Sequence, residues 1–300
     1  MNTSYLLFMS GSALIAAGAH FLLAKNLKKR GLLTAITFVF GAVLGVLCAK
    51  LSYCLIALGE VLTDGLAESL FTDSMECMSF LGGAAGVVLG AVLAAKSTGN
   101  RVMPALNAWA PAGALLAALA RFAEGLAGTV NVGRIIEDEA YQFFPLAVGV
   151  DFWGYTEWYL AVFMFSGLAC LAAAVFSLKA FRDRRFLRTL FYLCLPQILF
   201  ESLRNYNRLT WTQFVRAEQL LCMIAVEAVL LLYGVWQRRG LRGFAPALTG
   251  LGCAGLFVAV EFALDKTDIP HIATYAVMIA GLVLLAAAEM RGHAKLKQNT

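Results

Sequence analysis

Residues Leu32–Leu58 read LLTAITFVFGAVLGVLCAKLSYCLIAL, an apolar run interrupted by one charged side chain, Lys50. An α-helix needs about 20 such residues to cross a bilayer. A helix that is apolar on every face has no side to turn toward water, so the run reads as a membrane span and not as part of a soluble core. The same signal recurs along the chain, at about Ser4–Ala24, Phe80–Ala95, Pro104–Leu126, Trp158–Leu178, Phe186–Leu203, Ala217–Gln237, Ala245–Ala263 and Ala273–Glu289. The expected fold class is therefore all-α, a polytopic transmembrane helix bundle of about nine spans. Composition agrees: 60% of residues are hydrophobic and 14% charged, against about a quarter charged in soluble domains.

The charged residues sort by connection. One set is basic: Lys25, Lys28, Lys29 and Arg30; Lys96 and Arg101; Lys179, Arg182, Arg184, Arg185 and Arg188; Arg238, Arg239 and Arg242; Arg291, Lys295 and Lys297. The alternate set is acidic: Glu60, Asp64, Glu68, Asp73 and Glu76; Glu137, Asp138, Glu139 and Asp151; Asp265 and Asp268. The positive-inside rule puts the basic set in the cytoplasm, with the N-terminus outside and the C-terminus cytoplasmic. No positive residue precedes Ser4–Ala24 and a basic cluster follows it, which reads as a first span and not as a cleavable signal. The expected location is the cytoplasmic (inner) membrane, multi-pass. The net charge of +5 belongs to these cytoplasmic edges and makes no case for nucleic acid.

Seven cysteines and three histidines are present. Six of the cysteines sit inside apolar runs; Cys77 lies in a connection without an obvious partner. There is no CxxC and no Cys/His cluster, so neither a disulfide framework nor a metal site is expected. The two longest connections, about Gly59–Ser79 and Ala127–Glu157, carry Phe71, Phe143, Phe144, Pro145, Phe152, Trp153 and Tyr155, with Trp158 just beyond. They read either as ordinary connectors or as aromatic arms lying on the outer leaflet. Gly41, Gly45, Gly86 and Gly90 read as positions where two helices approach closely in lipid.

Ionisable side chains inside spans cost roughly 2.5–3.5 kcal/mol each on the insertion scale and need a reason. Those in question are Lys50 in the second span, Arg121 and Glu124 in the fourth, and Glu201 with Arg204 in the sixth. Arg121/Glu124 and Glu201/Arg204 are spaced i,i+3, on one helical face each. Each pair could satisfy itself, and Lys50 and Arg204 could reach a membrane surface. Alternatively both arginines, near the outer ends of outward-running spans, converge on one anionic group. The planar guanidinium fork suits a phosphate ester.

Four segments carry a family resemblance. Gly41-Ala-Val-Leu-Gly-Val-Leu-Cys-Ala-Lys50-Leu-Ser-Tyr53 resembles the second helix of prolipoprotein diacylglyceryl transferases, a Gly-rich run ending in Arg and Tyr. Met78-Ser-Phe-Leu-Gly-Gly83 is similar to the family's Met-Ser-Phe-His-Gly-Gly. Arg121-Phe-Ala123 matches the start of its Gly-Arg-x-Gly/Ala-Asn-Phe signature, and Glu201-Ser-Leu-Arg204 followed by Gln219 resembles its Glu-Phe-x-Arg … Gly-Gln block. The four keep their order and spacing through about residue 235.

The resemblance implies transfer of a diacylglyceryl group from phosphatidylglycerol to the lipobox cysteine of a lipoprotein precursor, without metal or organic cofactor. It places phosphate-holding roles on Arg121 and Arg204, close backbone approach at Gly82 and Gly83, and headgroup contacts at Lys50, Tyr53 and Glu201. The chain departs from the family at several positions. The family histidine is Leu81, its asparagine is Glu124, its second-helix arginine is Lys50, and its later Asn and Glu positions fall on Ala127 and Thr129. Thiol attack requires the thiolate, so Glu124, one turn from Arg121, is the candidate base. The likeness covers residues 1–242 as a transferase-like domain and leaves 243–300 as two additional helices with a basic tail. Two other functions stay open: an altered paralogue that binds or moves an anionic phospholipid, and a small-solute transporter. Against the transporter, the chain shows no internal repeat and no matching pair of broken spans.

Overall fold

The computed structural model describes residues 3–65, 78–125, 132–152, 154–179, 184–205, 215–237 and 243–297. Phe71, Glu68, Asp73, Glu76, Cys77, Ala127, Thr129, Trp153, Arg182, Arg238, Arg239 and Arg242 lie outside the described residues. Ten α-helices are described: α1 (Thr3–Leu23), α2 (Arg30–Ile56), α3 (Leu58–Asp64), α4 (Phe80–Ser97), α5 (Val102–Glu124), α6 (Val162–Lys179), α7 (Arg185–Leu203), α8 (Ala217–Gln237), α9 (Ala245–Lys266) and α10 (His271–Lys297). Every one except the short α3 is long and apolar enough to cross a membrane, nine among the described residues. The expected polytopic helical class is what the chain adopts.

One expectation needs correction. Trp158, Tyr159 and Leu160 are not the start of the fifth span. They belong to β2 (Tyr155–Leu160), which pairs antiparallel with β1 (Ala147–Phe152) in the register Ala147↔Leu160 to Phe152↔Tyr155. Gly154, at φ 94°, stands in the connection, where a side chain would be strained. The paired backbone satisfies its own polar groups, and α6 begins only at Val162. The aromatic connector thus holds a hairpin, from which Tyr141, Phe143, Phe144 and Tyr155 are exposed.

The chain divides into two compact units, Met1–Thr189 with Leu203–Leu209, and Leu190–Ser202 with Thr210–Thr300. In the first, α2 and α4 form the closest helix pair. A methyl group at Gly86 would overlap the Leu44 carbonyl oxygen, and one at Gly90 would lie 2.6 Å from the Gly41 nitrogen. The two backbones are in contact because neither glycine carries a side chain. Ser79 starts α4 by accepting from the Gly82 N–H at 2.9 Å, the usual way to satisfy an orphan donor at a helix N-terminus. At 18 residues α4 is about 27 Å long, a little short of a hydrocarbon core of about 30 Å but within the range of about 17–25 residues that spans one. Trp109 of α5 fills the centre, edge-on to His20 of α1 and Phe38 of α2 at 5.4 and 5.3 Å between ring centroids.

Three basic segments share one end of this unit. Asn100 exchanges hydrogen bonds with the Lys28 backbone at 2.9 and 3.0 Å, tying the α4–α5 turn to the α1–α2 turn. Asn107 accepts from the Phe186 N–H at 2.8 Å, which brings the start of α7 to the same end.

In the second unit, α9 and α10 pack on each other and on α8. Buried polar bonds join them. Gln219 donates to Glu261 at 2.7 Å and to the Ile198 carbonyl at 3.1 Å. Glu289, wholly buried, accepts from the hydroxyls of Tyr192 and Tyr233 at 3.1 and 3.2 Å. These contacts account for two in-span glutamates without a site.

Candidate functional site

Arg121 lies in the last turn of α5 and is 1% exposed, with Glu124 one turn further on. That spacing puts both on one face, and the pair forms: Arg121 Nη1 donates to Glu124 Oε1 at 2.6 Å. Arg204 arrives from elsewhere in the first unit. It stands one residue past the end of α7, where Gly133 and Arg204 form an antiparallel bridge. Its Nη2 donates to the second oxygen of the same carboxylate, Glu124 Oε2, at 3.1 Å. Gly133 allows this approach, since a Cβ there would lie 2.6 Å from Val162 and 3.0 Å from the Leu203 carbonyl.

The result is one carboxylate between two guanidinium groups, with side-chain exposures of 1% for Arg121, 8% for Glu124 and 13% for Arg204. These three groups carry one net positive charge. In so dry a setting each charge-assisted bond is stronger than its surface equivalent. Removing Glu124 takes the shared carboxylate from two buried guanidinium groups, and breaking a buried pair in this way typically costs about 3–5 kcal/mol, whereas removing either arginine leaves the other paired with Glu124. Phe80 completes the seat of Arg121, the guanidinium carbon lying 3.6 Å from the ring centroid, a cation–π stacking distance. Tyr5 of α1 is near enough to feel the charges of both Glu124 and Arg121. Tyr5 does not stand out in the sequence, and Phe80 does so only as a member of the Met78–Gly83 segment, with no sign of its contact with Arg121. A lone aromatic in an apolar helix carries no signal of what it will face.

The remaining candidates take separate places. Lys50 and Tyr53 are buried on α2, so Lys50 does not extend to an exposed surface of the unit. Their helix meets the Met78–Gly83 segment, where the Ser79 N–H donates to the Ala49 carbonyl at 3.1 Å. A Cβ at Gly82 would lie against Ser52 and the Cys48 carbonyl, and one at Gly83 would be 3.5 Å from Ala49. Both glycines therefore face α2 and let the motif's backbone seat against it. Phe80 of this segment is its link to Arg121. Leu81, between Phe80 and Gly82, offers no titratable group. Glu201 falls in the second unit, buried, with Arg216 donating to its backbone carbonyl. Arg204 stands one residue beyond the end of α7 and donates to Glu124. His20 is buried among Trp109 and Thr34, its Nδ1 3.3 Å from the threonine hydroxyl.

Two guanidinium groups aimed at one acceptor centre can bind a carboxylate or a phosphodiester. A lone carboxylate beside them can take a proton when released. No curated protein sequence matches the chain. The sequence model of prolipoprotein diacylglyceryl transferase matches residues 4–235, a stretch that includes Arg121, Glu124, Arg204 and the Met78–Gly83 segment and extends over most of the 300 residues. The chain is a multi-pass membrane protein and belongs to the prolipoprotein diacylglyceryl transferase family, a family of transferases in lipoprotein biosynthesis.

Proposed function

We propose that the chain transfers a diacylglyceryl group from phosphatidylglycerol to the lipobox cysteine thiol of a lipoprotein precursor. The observation that carries this reading is the meeting of Arg121 and Arg204 at Glu124. The arginines hold the phosphate of the donor. Lys50, Tyr53, Gly82 and Gly83 border the headgroup. Glu124 takes the thiol proton in place of the histidine that the family carries where Leu81 stands. The thiolate then attacks the glyceryl carbon, a C–S bond forms, the C–O bond to phosphate breaks, and glycerol phosphate leaves with one more negative charge. The arginines stabilise that charge as it develops, which is where electrostatic catalysis acts. Before the step the two guanidinium groups, the carboxylate and the phosphodiester sum to zero. Afterwards a protonated Glu124 and a dianionic phosphate again sum to zero. A carboxylate base therefore keeps the buried charge constant.

In this reading residues 1–242 are the transferase part and 243–300 an addition. The chain sits in the cytoplasmic membrane with its N-terminus outside. The test uses full-length protein in detergent with phosphatidylglycerol and a synthetic lipobox peptide, followed by mass spectrometry. Modified peptide is expected, with its yield dependent on both arginines. The loss of the family histidine favours one second reading, an altered paralogue that binds anionic phospholipid without thioether chemistry. Arginine-dependent lipid binding with no modified peptide would select it.

A further inference from the structure

We infer that Glu124 is an internal anion that closes the arginine pair, so that donor binding is an exchange which itself releases the base. The inference rests on Arg121 and Arg204 being the phosphate site. Each Glu124 oxygen engages a different arginine, at 2.6 and 3.1 Å. A phosphodiester offers the same demand: one negative charge and two non-ester oxygens on one centre. Headgroup and carboxylate compete for the same donors, Arg121 Nη1 and Arg204 Nη2, which Glu124 holds at 2.6 and 3.1 Å. The asparagine of the resembled family pattern has no charge to compete with. The competitor is thus this chain's own feature.

The exchange has an order built into it. While each Glu124 oxygen accepts from a guanidinium group, a thiol arriving first must compete with two charged donors for the carboxylate. A headgroup arriving first displaces the carboxylate, which stays within one helical turn of Arg121 because both are fixed on α5. The arginines keep their places without it. Phe80 stacks on Arg121 at 3.6 Å, and the Arg204 backbone is bridged to Gly133. Only then can the S–H proton pass to Glu124, as the C–S bond forms and the C–O bond to phosphate breaks. Donor binding precedes acceptor activation, and idle thiols are not deprotonated.

The test measures binding of dihexanoyl phosphatidylglycerol to the full-length protein in micelles. Glu124→Gln should bind this lipid more tightly, by roughly tenfold or more, and lose transfer. Glu124→Asp, too short to reach both guanidinium groups, should bind with intermediate affinity and serves if the Gln variant does not fold. In wild-type protein, adding the lipid should shift a carboxylate infrared band that is missing in Glu124→Gln, while dihexanoylglycerol, lacking phosphate, should not. Unchanged or weaker lipid binding in both Glu124 variants overturns the exchange. If Arg121→Lys and Arg204→Lys still weaken binding in that case, the phosphate site survives and only the exchange fails. If neither arginine variant alters binding, the phosphate site fails with it.

Discussion

Glu124 Oε2 accepts a hydrogen bond from Arg204 Nη2 at 3.1 Å although the two residues are 80 positions apart. Through it the end of α5 and the segment after α7 share one charged centre, and Arg121 holds the other oxygen at 2.6 Å. Charges joined in this way do not act independently. Substitutions at the two arginines should therefore be coupled.

Replacing Arg121 or Arg204 by Lys keeps the charge but loses the planar fork. A hydrogen bond to a charged group contributes about 1.5–3 kcal/mol, so phosphatidylglycerol binding or turnover should fall on the order of tenfold to a hundredfold for each variant. On the proposed shared phosphate site the double variant should lose less than the product of the single losses. Losses that simply multiply would show two separate sites.

Orientation is open to a direct test. The three basic segments tied by Asn100 and Asn107 lie at one end of the first unit, and the positive-inside rule assigns that end to the cytoplasm. A membrane-impermeant thiol reagent added outside intact cells should label a cysteine placed at Asp138 and spare one placed at Arg184. The opposite pattern would invert the whole topology.

The spans are legible in the sequence because a bilayer imposes one rule, apolar length, that needs no knowledge of neighbours. The rule fails where apolar residues serve another purpose. Trp158–Leu160 merges by hydropathy with the span after it, yet those residues pair with Ala147–Gly149 in a hairpin. The site is half legible for the same reason. Helical spacing gives Arg121 with Glu124, whereas Arg204 stands one residue past the end of α7. Its bond to Glu124, and the stacking of Phe80 on Arg121, depend on tertiary approach, which local spacing does not encode.

The α2–α4 contact predicts where small changes are costly. Gly86 and Gly90 have backbone atoms of α2 where a Cβ would go, and overpacking costs about 1–3 kcal/mol. Gly86→Ala should lower the melting temperature of the detergent-solubilised protein by several degrees. Gly11→Ala and Gly18→Ala on α1, where nothing lies within 4 Å, should leave it unchanged or raise it slightly, since alanine favours helix. Equal melting temperatures for Gly86→Ala and Gly11→Ala would mean that α2 and α4 do not pack as described.

The hairpin carries a titration of its own. Tyr159 and Glu157 lie two positions apart on β2, hence on one face of the strand, and the Tyr159 hydroxyl donates to Glu157 Oε2 at 2.5 Å. That hydrogen bond, with burial adding to it, pushes the phenol from its ordinary 10.0 up to about 12. The proton is held more tightly in the folded than in the unfolded chain. Its stabilising effect is therefore full below about pH 10 and lost as pH rises through about 12. The alkaline absorbance difference between wild type and Tyr159→Phe should show a tyrosinate step near pH 12. Glu157→Gln, which removes the charged acceptor, should move the step toward 10. A wild-type step already near 10, with the hairpin still folded by circular dichroism, would rule out the Tyr159–Glu157 bond in solution.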